Sequence, residues 1–456
     1  MTTRAVFSRP LGMRLAKLVL SASVLSGSMA AWSMDLLQAY EAAKKQDPTL
    51  LASRAATQAG RERLPQALAQ LLPTVSASYS QNNNQLKSSL PNFFGVEQTT
   101  DSSYNSSNQT VQIRQPLFRT YLSAQYRQTA EQVKDAEASL AQDEQNLAVR
   151  VSGAYFDAVL SREQLALVQA QRTAYTAQVD AASKTFAAGG GTRTDVDEAQ
   201  ARLDLVTAQE IEARQNVDFT LRQVQVLVNE PALDLQSLNV AKLTLVGPKP
   251  EGLTDWAERA ELNSPKLRSL KAQLDAARLE VDKAQSGHHP TLDAVAQWSR
   301  SESENVINVA SRYTNTSFGL QLSIPIFAGG GVNAGVRQAL ANVDRAEQAL
   351  EAGRRDLGVQ VHKQYRGVTE NIPKIKALEQ ALHSAEQLIV SNQKSFKAGN
   401  RTMIDVLNAQ QQRMVVARDL AQARYMYLVS KLNLLALVGE ADSQAVAEIN
   451  QAFQTE

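Results

Sequence analysis

The chain has 456 residues, with 47 Lys and Arg set against 46 Asp and Glu, so no bulk charge points to nucleic acid and none is expected among its partners. It has no Cys. That excludes disulfides, thiolate metal sites, a Cys nucleophile and a lipid-modified Cys, and it suits an oxidising compartment. The N-terminus reads as a secretory signal peptide over 1–30: Arg4, Arg9, Arg14 and Lys17 are basic, Leu18 to Leu25 is apolar, and Ser28-Met29-Ala30 is a small-x-small cleavage site. Cleavage after Ser33 is a second candidate. The apolar run is shorter than the ~18 residues of a spanning helix, and no longer one follows. A mature chain that crosses a bilayer must therefore do so as a closed barrel.

Residues 34–70 have helical periodicity, weakly broken at Pro48 and Pro65. The period changes at Leu72-Pro73, where Val75, Ala77 and Tyr79 alternate with Ser76, Ser78 and Ser80, which predicts a strand over 72–80. Residues 81–109, rich in Asn, Ser and Gln, read as a solvated loop. A second strand is predicted over 110–118, with Val111, Ile113 and Leu117 on one face. From Arg119 to Ala187 there is no Pro and one Gly, Gly153, so a single helix of roughly 100 Å is expected at ~1.5 Å per residue. A helix that long must be braced along its length, as in a coiled coil or helical barrel. Residues 192–228 form a shorter helix. Two such short helices, stacked end to end, would flank each long one.

After a linker at 248–253 the plan returns: a helix over 254–286, a strand over 291–299, a polar loop, and a strand over 317–327. In the last of these, Phe318, Leu320, Leu322, Ile324 and Ile326 alternate with small or polar residues. The long helix over 332–397 carries four glycines and Pro373, so it is expected to bend. A helix over 401–438 and a tail over 441–456 complete the chain.

The return is a duplication. Phe186 to Gln200, FAAGGGTRTDVDEAQ, shifted by 210 positions, aligns without a gap on FKAGNRTMIDVLNAQ, Phe396 to Gln410. Each copy has an Ala-Gly breaker, a Thr able to cap a helix and an Asp in the first turn, the punctuation of a turn between two helices. The same register pairs Leu140 with Leu350 and Tyr155 with Tyr365, so 31–247 and 254–440 are two copies of one unit. Gly189 and Gly399 are expected as left-handed helix caps. Four strands cannot close a membrane barrel, whose smallest examples have about eight, so several protomers are required. Tyr79, Phe118, Trp298 and Phe318 suit either an aromatic girdle or ordinary barrel-facing positions.

Signal peptide, duplicated strand and helix units, and the paired AGxxT…DV turns together resemble the TolC-like outer-membrane efflux proteins of Gram-negative bacteria. DLLQAYEAAKKQDPTL near the start, LPT and HPT before each first strand, and PIFAGG after the last carry the same resemblance. It implies a mainly α fold with a membrane β part: a homotrimer forming a twelve-stranded barrel among outer-membrane lipid, continuous with a periplasmic α-helical barrel. Its implied role is a passive exit duct for tripartite efflux or type I secretion, docked to a periplasmic adaptor (membrane fusion) protein and an inner-membrane transporter of ABC or RND type. Cargo would be proteins or small toxic compounds.

On the same resemblance, Asp405 and Asn408 face the pore entrance, and Arg401 is a latch pairing with Asp195 on a neighbouring helix, with Phe396 beside it. Gly189, Thr192, Gly399 and Thr402 are then the adaptor-docking tips. Two positions depart from the family pattern. Asn408 stands where a second pore Asp is expected, so three carboxylates rather than six would ring the entrance. Phe396 replaces a Tyr, removing a hydroxyl able to bond the latch Asp. No cofactor, metal site or catalytic constellation is expected: the four His lack ligand spacing, and Gly189-Gly190-Gly191 lacks the Lys of a phosphate loop. The alternatives are a periplasmic or surface coiled-coil scaffold or adhesin, which would not explain the strands, and an exported enzyme on a helical frame.

Overall fold

A computed structural model describes residues 33–91, 93–230, 234–304 and 310–453; the expected signal peptide lies outside the described residues. The first half runs α1 (Leu36–Gln46), α2 (Pro48–Arg61), α3 (Arg63–Ala69), β1 (Thr74–Pro91), β2 (Glu97–Phe118), α4 (Thr120–Ala187) and α5 (Arg193–Val228). The second runs α6 (Leu253–Asn263), α7 (Pro265–Gln285), β3 (Thr291–Glu304), β4 (Ala310–Ser323), α8 (Gly331–Lys397) and α9 (Met403–Leu437), followed by α10 (Ser443–Asn450). The opening helical stretch of each half is cut at a proline. Asp47 and Ser264, in extended backbone, precede Pro48 and Pro265 at the first position of the next helix, where the missing N–H costs nothing and the residue before Pro leaves the helical region. Pro373, by contrast, sits inside an unbroken α8.

The four strands form one antiparallel sheet in the order β1-β2-β3-β4. Directly opposed residues share a face, and the register places Val75 opposite Ile113, Ile113 opposite Ala296, and Ala296 opposite Phe318. Ala77, Val111 and Trp298 form a second such row, and Leu320 and Leu322 extend the same face. The result is a continuous apolar face, on which Val75, Phe318, Leu320 and Leu322 are exposed in the single chain. The opposite face is polar and carries Gln112, Arg114, Asp293, Gln297 and Ser299. Such a sheet has the two-sided chemistry of a barrel wall between lipid and water.

The strands extend further than the sequence reading predicts. Most of the stretch expected as a loop at 81–109 is ladder, paired from Gln81 opposite Ser107 out to Pro91 opposite Glu97. Asn84 donates to Ser106 at 2.8 Å, and Ser89 lies 2.8 Å from Thr99. The polar stretch at 300–316 is likewise strand up to Glu304 and again from Ala310, tied by Arg300 and Arg312 on Glu302 at 2.6 and 2.7 Å. Both segments are built mainly from polar residues on both faces, so the sequence shows no apolar alternation although the described backbone pairs in a ladder. The strand expected over 317–327 ends at Ser323, two residues before Pro325, which has no N–H for a ladder.

Beneath the sheet the helices form a layer. α2, α3 and α7 flank the strand-proximal part of α4, where Thr57 bonds the Ala136 carbonyl and Ser269 bonds Asp135. α5 and α9 flank the part towards the turns, through Ser161–Thr220 and Gln171–Gln411. The largest core lies between these regions, where α1, α4, α9 and α10 meet. Phe156 stacks on Phe453 with ring centroids 5.6 Å apart, and Tyr155 meets Phe453 edge-on at 5.4 Å. The Tyr155 hydroxyl lies 3.0 Å from the carbonyls of both Met34 and Gln236.

Sheet and helices are joined at one buried carboxylate. Asp293 on β3, with its side chain 3% exposed, is gripped by Arg114 of β2 and by Arg119, the residue immediately before α4. The Arg119 Nη2–Asp293 Oδ2 distance is 2.6 Å, and Arg119 Nε lies 2.8 Å from Oδ1. This pairing fixes the β2–β3 register where it shifts between Pro116 and Phe118, and it fixes where α4 begins. Asp293→Ala leaves two guanidiniums without their anion. It is expected to cost about 1–3 kcal/mol, the exposure of both Arg side chains screening part of the loss. Thermal unfolding of the detergent-solubilised variant should show this as a lowered midpoint.

Candidate functional site: the two interhelical turns

The duplicated motif builds the same turn twice, at the far ends of α4 and α8. At the first, the Gly189 N–H donates to the Phe186 carbonyl at 2.9 Å and the Gly190 N–H to the Thr185 carbonyl at 3.0 Å. At the second, Gly399 and Asn400 repeat both bonds to Phe396 and Ser395, each at 2.9 Å. These are paired six-to-one and five-to-two closures that satisfy the last carbonyls of a helix. They need a left-handed residue, and Gly189 and Gly399 supply it with φ of 77° and 76°. A Cβ on either would meet no atom within 4 Å, so backbone conformation alone demands glycine here.

The outgoing helices start in capping boxes. Thr192 accepts from the Asp195 N–H at 3.1 Å while Asp195 accepts from the Thr192 N–H at 3.0 Å. Thr402 and Asp405 do the same at 3.4 and 2.9 Å. The Thr402 backbone N–H, then its hydroxyl, and then Arg401 hold the Asp405 carboxyl below the usual carboxylate range, so it is charged at neutral pH.

The placement of the remaining expected residues is mixed. Arg401, two residues before α9, faces Asp405 of that helix at 3.4 Å rather than Asp195, and among the described residues no Arg401–Asp195 pair forms within the chain. The reason is local: Asp405 is only four residues along the chain from Arg401, held in place by the capping box with Thr402 between them. The Phe396 ring packs against an apolar cluster of Val168, Tyr175, Ala182, Val206, Met403 and Leu407, which glues α4, α5 and α9 together above the turns. Asn408 lies one turn after Asp405, and its Oδ1 accepts from Arg202 Nη2 of α5 at 3.2 Å.

Two residues that the sequence reading did not single out matter here. Arg202 is one. The other is Glu210 of α5, 3% exposed, which binds Arg172 of α4 and Arg214 of its own helix at 2.6 Å each. The i,i+4 spacing of Glu210 and Arg214 was readable. The Arg172 contact depends on how α4 and α5 face one another.

A chain with an amphipathic four-stranded sheet, helices of about 100 Å and two capped interhelical turns has the build of an outer-membrane duct subunit. Residues 39–230 and 256–440 match the outer membrane efflux protein family, and the chain belongs to that family. It is 34% identical over 436 residues to the alkaline protease secretion protein AprF of Pseudomonas aeruginosa, covering 91% of this chain and 87% of that one. It is 28% identical over 455 residues to the outer membrane protein TolC of Escherichia coli, covering 96% and 89%. Among solved structures, VceC of Vibrio cholerae superposes with a TM-score of 0.77 at 17% identity over 89% of this chain and 96% of that one. The fold is therefore that of outer-membrane channel proteins. No helix among the described residues is long and apolar enough to cross a membrane.

Arg172 first, and then Arg214, push the Glu210 carboxyl down to about 2. A folded-state value below the unfolded one adds stability that is present above the ordinary carboxylate range and is lost as pH falls through the folded value. Acid unfolding between pH ~4.5 and ~2 should therefore be less steep in Glu210→Gln than in the parent chain, which helical circular dichroism during acid titration will show.

Proposed function

We propose that this protein is the outer-membrane exit duct of a type I secretion or tripartite efflux system, a passive trimeric channel carrying cargo from an inner-membrane transporter and its adaptor to the outside. The observation that carries the reading is the pair of free edges. Among the described residues β1 and β4 each pair on one side only, and unpaired backbone in hydrocarbon costs several kcal/mol per group. The helical layer has free edges on the same two sides. α5 exposes Leu205, Ile211, Phe219 and Val226 along one face, and α8 leaves Leu340, Val359, Leu388 and Val390 exposed at several angles around it. Three copies joined edge to edge would pair every strand into twelve and cover both helical flanks. A coiled-coil scaffold leaves the amphipathic sheet without a purpose.

In the trimer the two turns of each protomer form the periplasmic end, with Gly189, Thr192, Gly399 and Thr402 offered to the adaptor. Asp405 faces the entrance, and Arg401, only loosely engaged at 3.4 Å and half exposed, is able to swing to Asp195 on a neighbouring helix. Three carboxylates ~8 Å apart repel by only about 0.5 kcal/mol per pair in water and by more in a confined pore, so the ring attracts cations and binds multivalent ones. Two relatives above 30% identity, AprF and the proteases secretion protein PrtF of Dickeya chrysanthemi, bear protein secretion in their names. This favours exported protein as the cargo. Delivery to the outer membrane by a cleavable signal over 1–30 belongs to the same reading.

Single-channel recording in a planar bilayer tests it. The purified protein is expected to give small, cation-selective openings blocked by a trivalent cation added on the periplasmic side. Asp405→Ala should weaken that block at least about tenfold, and Arg401→Ala should enlarge the resting conductance. Unchanged block and conductance in both variants would overturn the entrance assignment.

A further inference from the structure

The entrance carries a cation as well as a carboxylate. Asp195, Glu198 and Arg202 lie three and four residues apart and share one face of α5, as Asp405 and Asn408 share one face of α9, with Arg401 just before that helix. The two faces meet at the 3.2 Å contact between Arg202 Nη2 and Asn408 Oδ1. The same guanidinium holds the Glu198 carboxylate through its Nε at 3.3 Å. Both Arg202 and Glu198 are about a third exposed or less, so the cation is held rather than swept through solvent.

The duplication shows what is particular about this arrangement. Shifted by 210 positions, Asp195 falls on Asp405, Glu198 on Asn408 and Arg202 on Gln412. One repeat thus supplies an acid and a base one turn above its capping Asp, and the other supplies two neutral amides. The single base serves both positions: it offsets the Glu198 charge and donates to the Asn408 carbonyl.

We infer that Arg202 sets the charge of the second layer of the entrance, offsetting Glu198 and occupying the acceptor side of Asn408, so that only the Asp405 layer is left as net anionic. This rests on the duct reading and assigns its ion selectivity to a particular residue. A consequence separates it from a simple count of pore carboxylates. Arg202 carries one positive charge, which Glu198 already takes, so Asn408→Asp would bring this layer of each protomer from neutral to one net negative charge, and Arg202→Gln would do the same without adding a carboxylate.

The test is the reversal potential of the purified full-length channel under a potassium chloride gradient, for the parent, Arg202→Gln, Arg202→Lys, Asn408→Asp and the double variant Arg202→Gln/Asn408→Asp. Arg202→Gln should raise the cation-to-anion permeability ratio about twofold or more, while Arg202→Lys, which keeps the charge, stays nearer the parent. Asn408→Asp should raise the ratio by a factor similar to that of Arg202→Gln, and the double variant should exceed either single one. A ratio in Arg202→Gln equal to that of the conducting parent, or one in Arg202→Lys as high as in Arg202→Gln, would overturn the assignment. A folded parent trimer that never conducts would instead overturn the duct reading, and this inference with it. Loss of packing alone would not produce the Lys-against-Gln difference, because selectivity follows charge.

Discussion

A strand has two edges, and in hydrocarbon neither can go unpaired. That constraint organises the molecule. Among the described residues one chain contributes four strands and leaves β1 and β4 each paired on one side only, which on the duct reading makes it an arc of wall rather than an enclosure. The helical layer obeys the same geometry with different chemistry, leaving apolar flanks where the sheet leaves hydrogen-bonding groups. Because Arg119 and Asp293 tie the first residues of α4 to β2 and β3, the curvature of the sheet and the course of the helices are not independent. Whatever closes one closes the other.

Much of this was legible in the sequence, for identifiable reasons. The helices announced themselves by the absence of Pro between Arg119 and Ala187. The turns did so by an Ala-Gly breaker followed by Thr and Asp, because capping chemistry is local and its spacing is fixed. The two extended polar stretches were not legible. Alternation in sequence needs apolar residues on one face, and the segments from Gln81 to Pro91 and from Glu97 to Ser107 are mostly polar on both, even where Ser102, Tyr104 and Ser106 are half-buried, although their backbones pair completely. Polarity there reflects solvent, not loss of the ladder.

The site divides in the same way. Thr192 with Asp195 and Thr402 with Asp405 follow from positions within one helix. Arg202 with Asn408, and Arg172 with Glu210, follow from the angle at which α5 faces α9 and α4, which the one-dimensional pattern does not contain. Arg401 shows the competition directly: two carboxylates were candidates, and within one chain the one four residues away takes the cation. The repeat register was the one long-range guide available, and Glu198 against Asn408 is one of the positions where its two copies differ and where the proposed entrance departs from symmetry in charge.

The central core constrains where the chain can be cut. Asn450, 2% exposed in the last helix, accepts from the Leu36 N–H at 3.0 Å and donates to Asp35 at 3.0 Å, while the Ala452 carbonyl accepts from Asn239 at 2.8 Å. Phe453 fills the space between Tyr155 and Phe156. The earliest described helix, the middle of the chain and its final helix are therefore one cooperative unit. Until residues 450–453 are in place, the Leu36 N–H lacks its Asn450 acceptor and the space between Tyr155 and Phe156 is unfilled. A core that starts at Leu36 is therefore completed by a contact 414 positions further on, and no truncation before Asn450 can leave it intact.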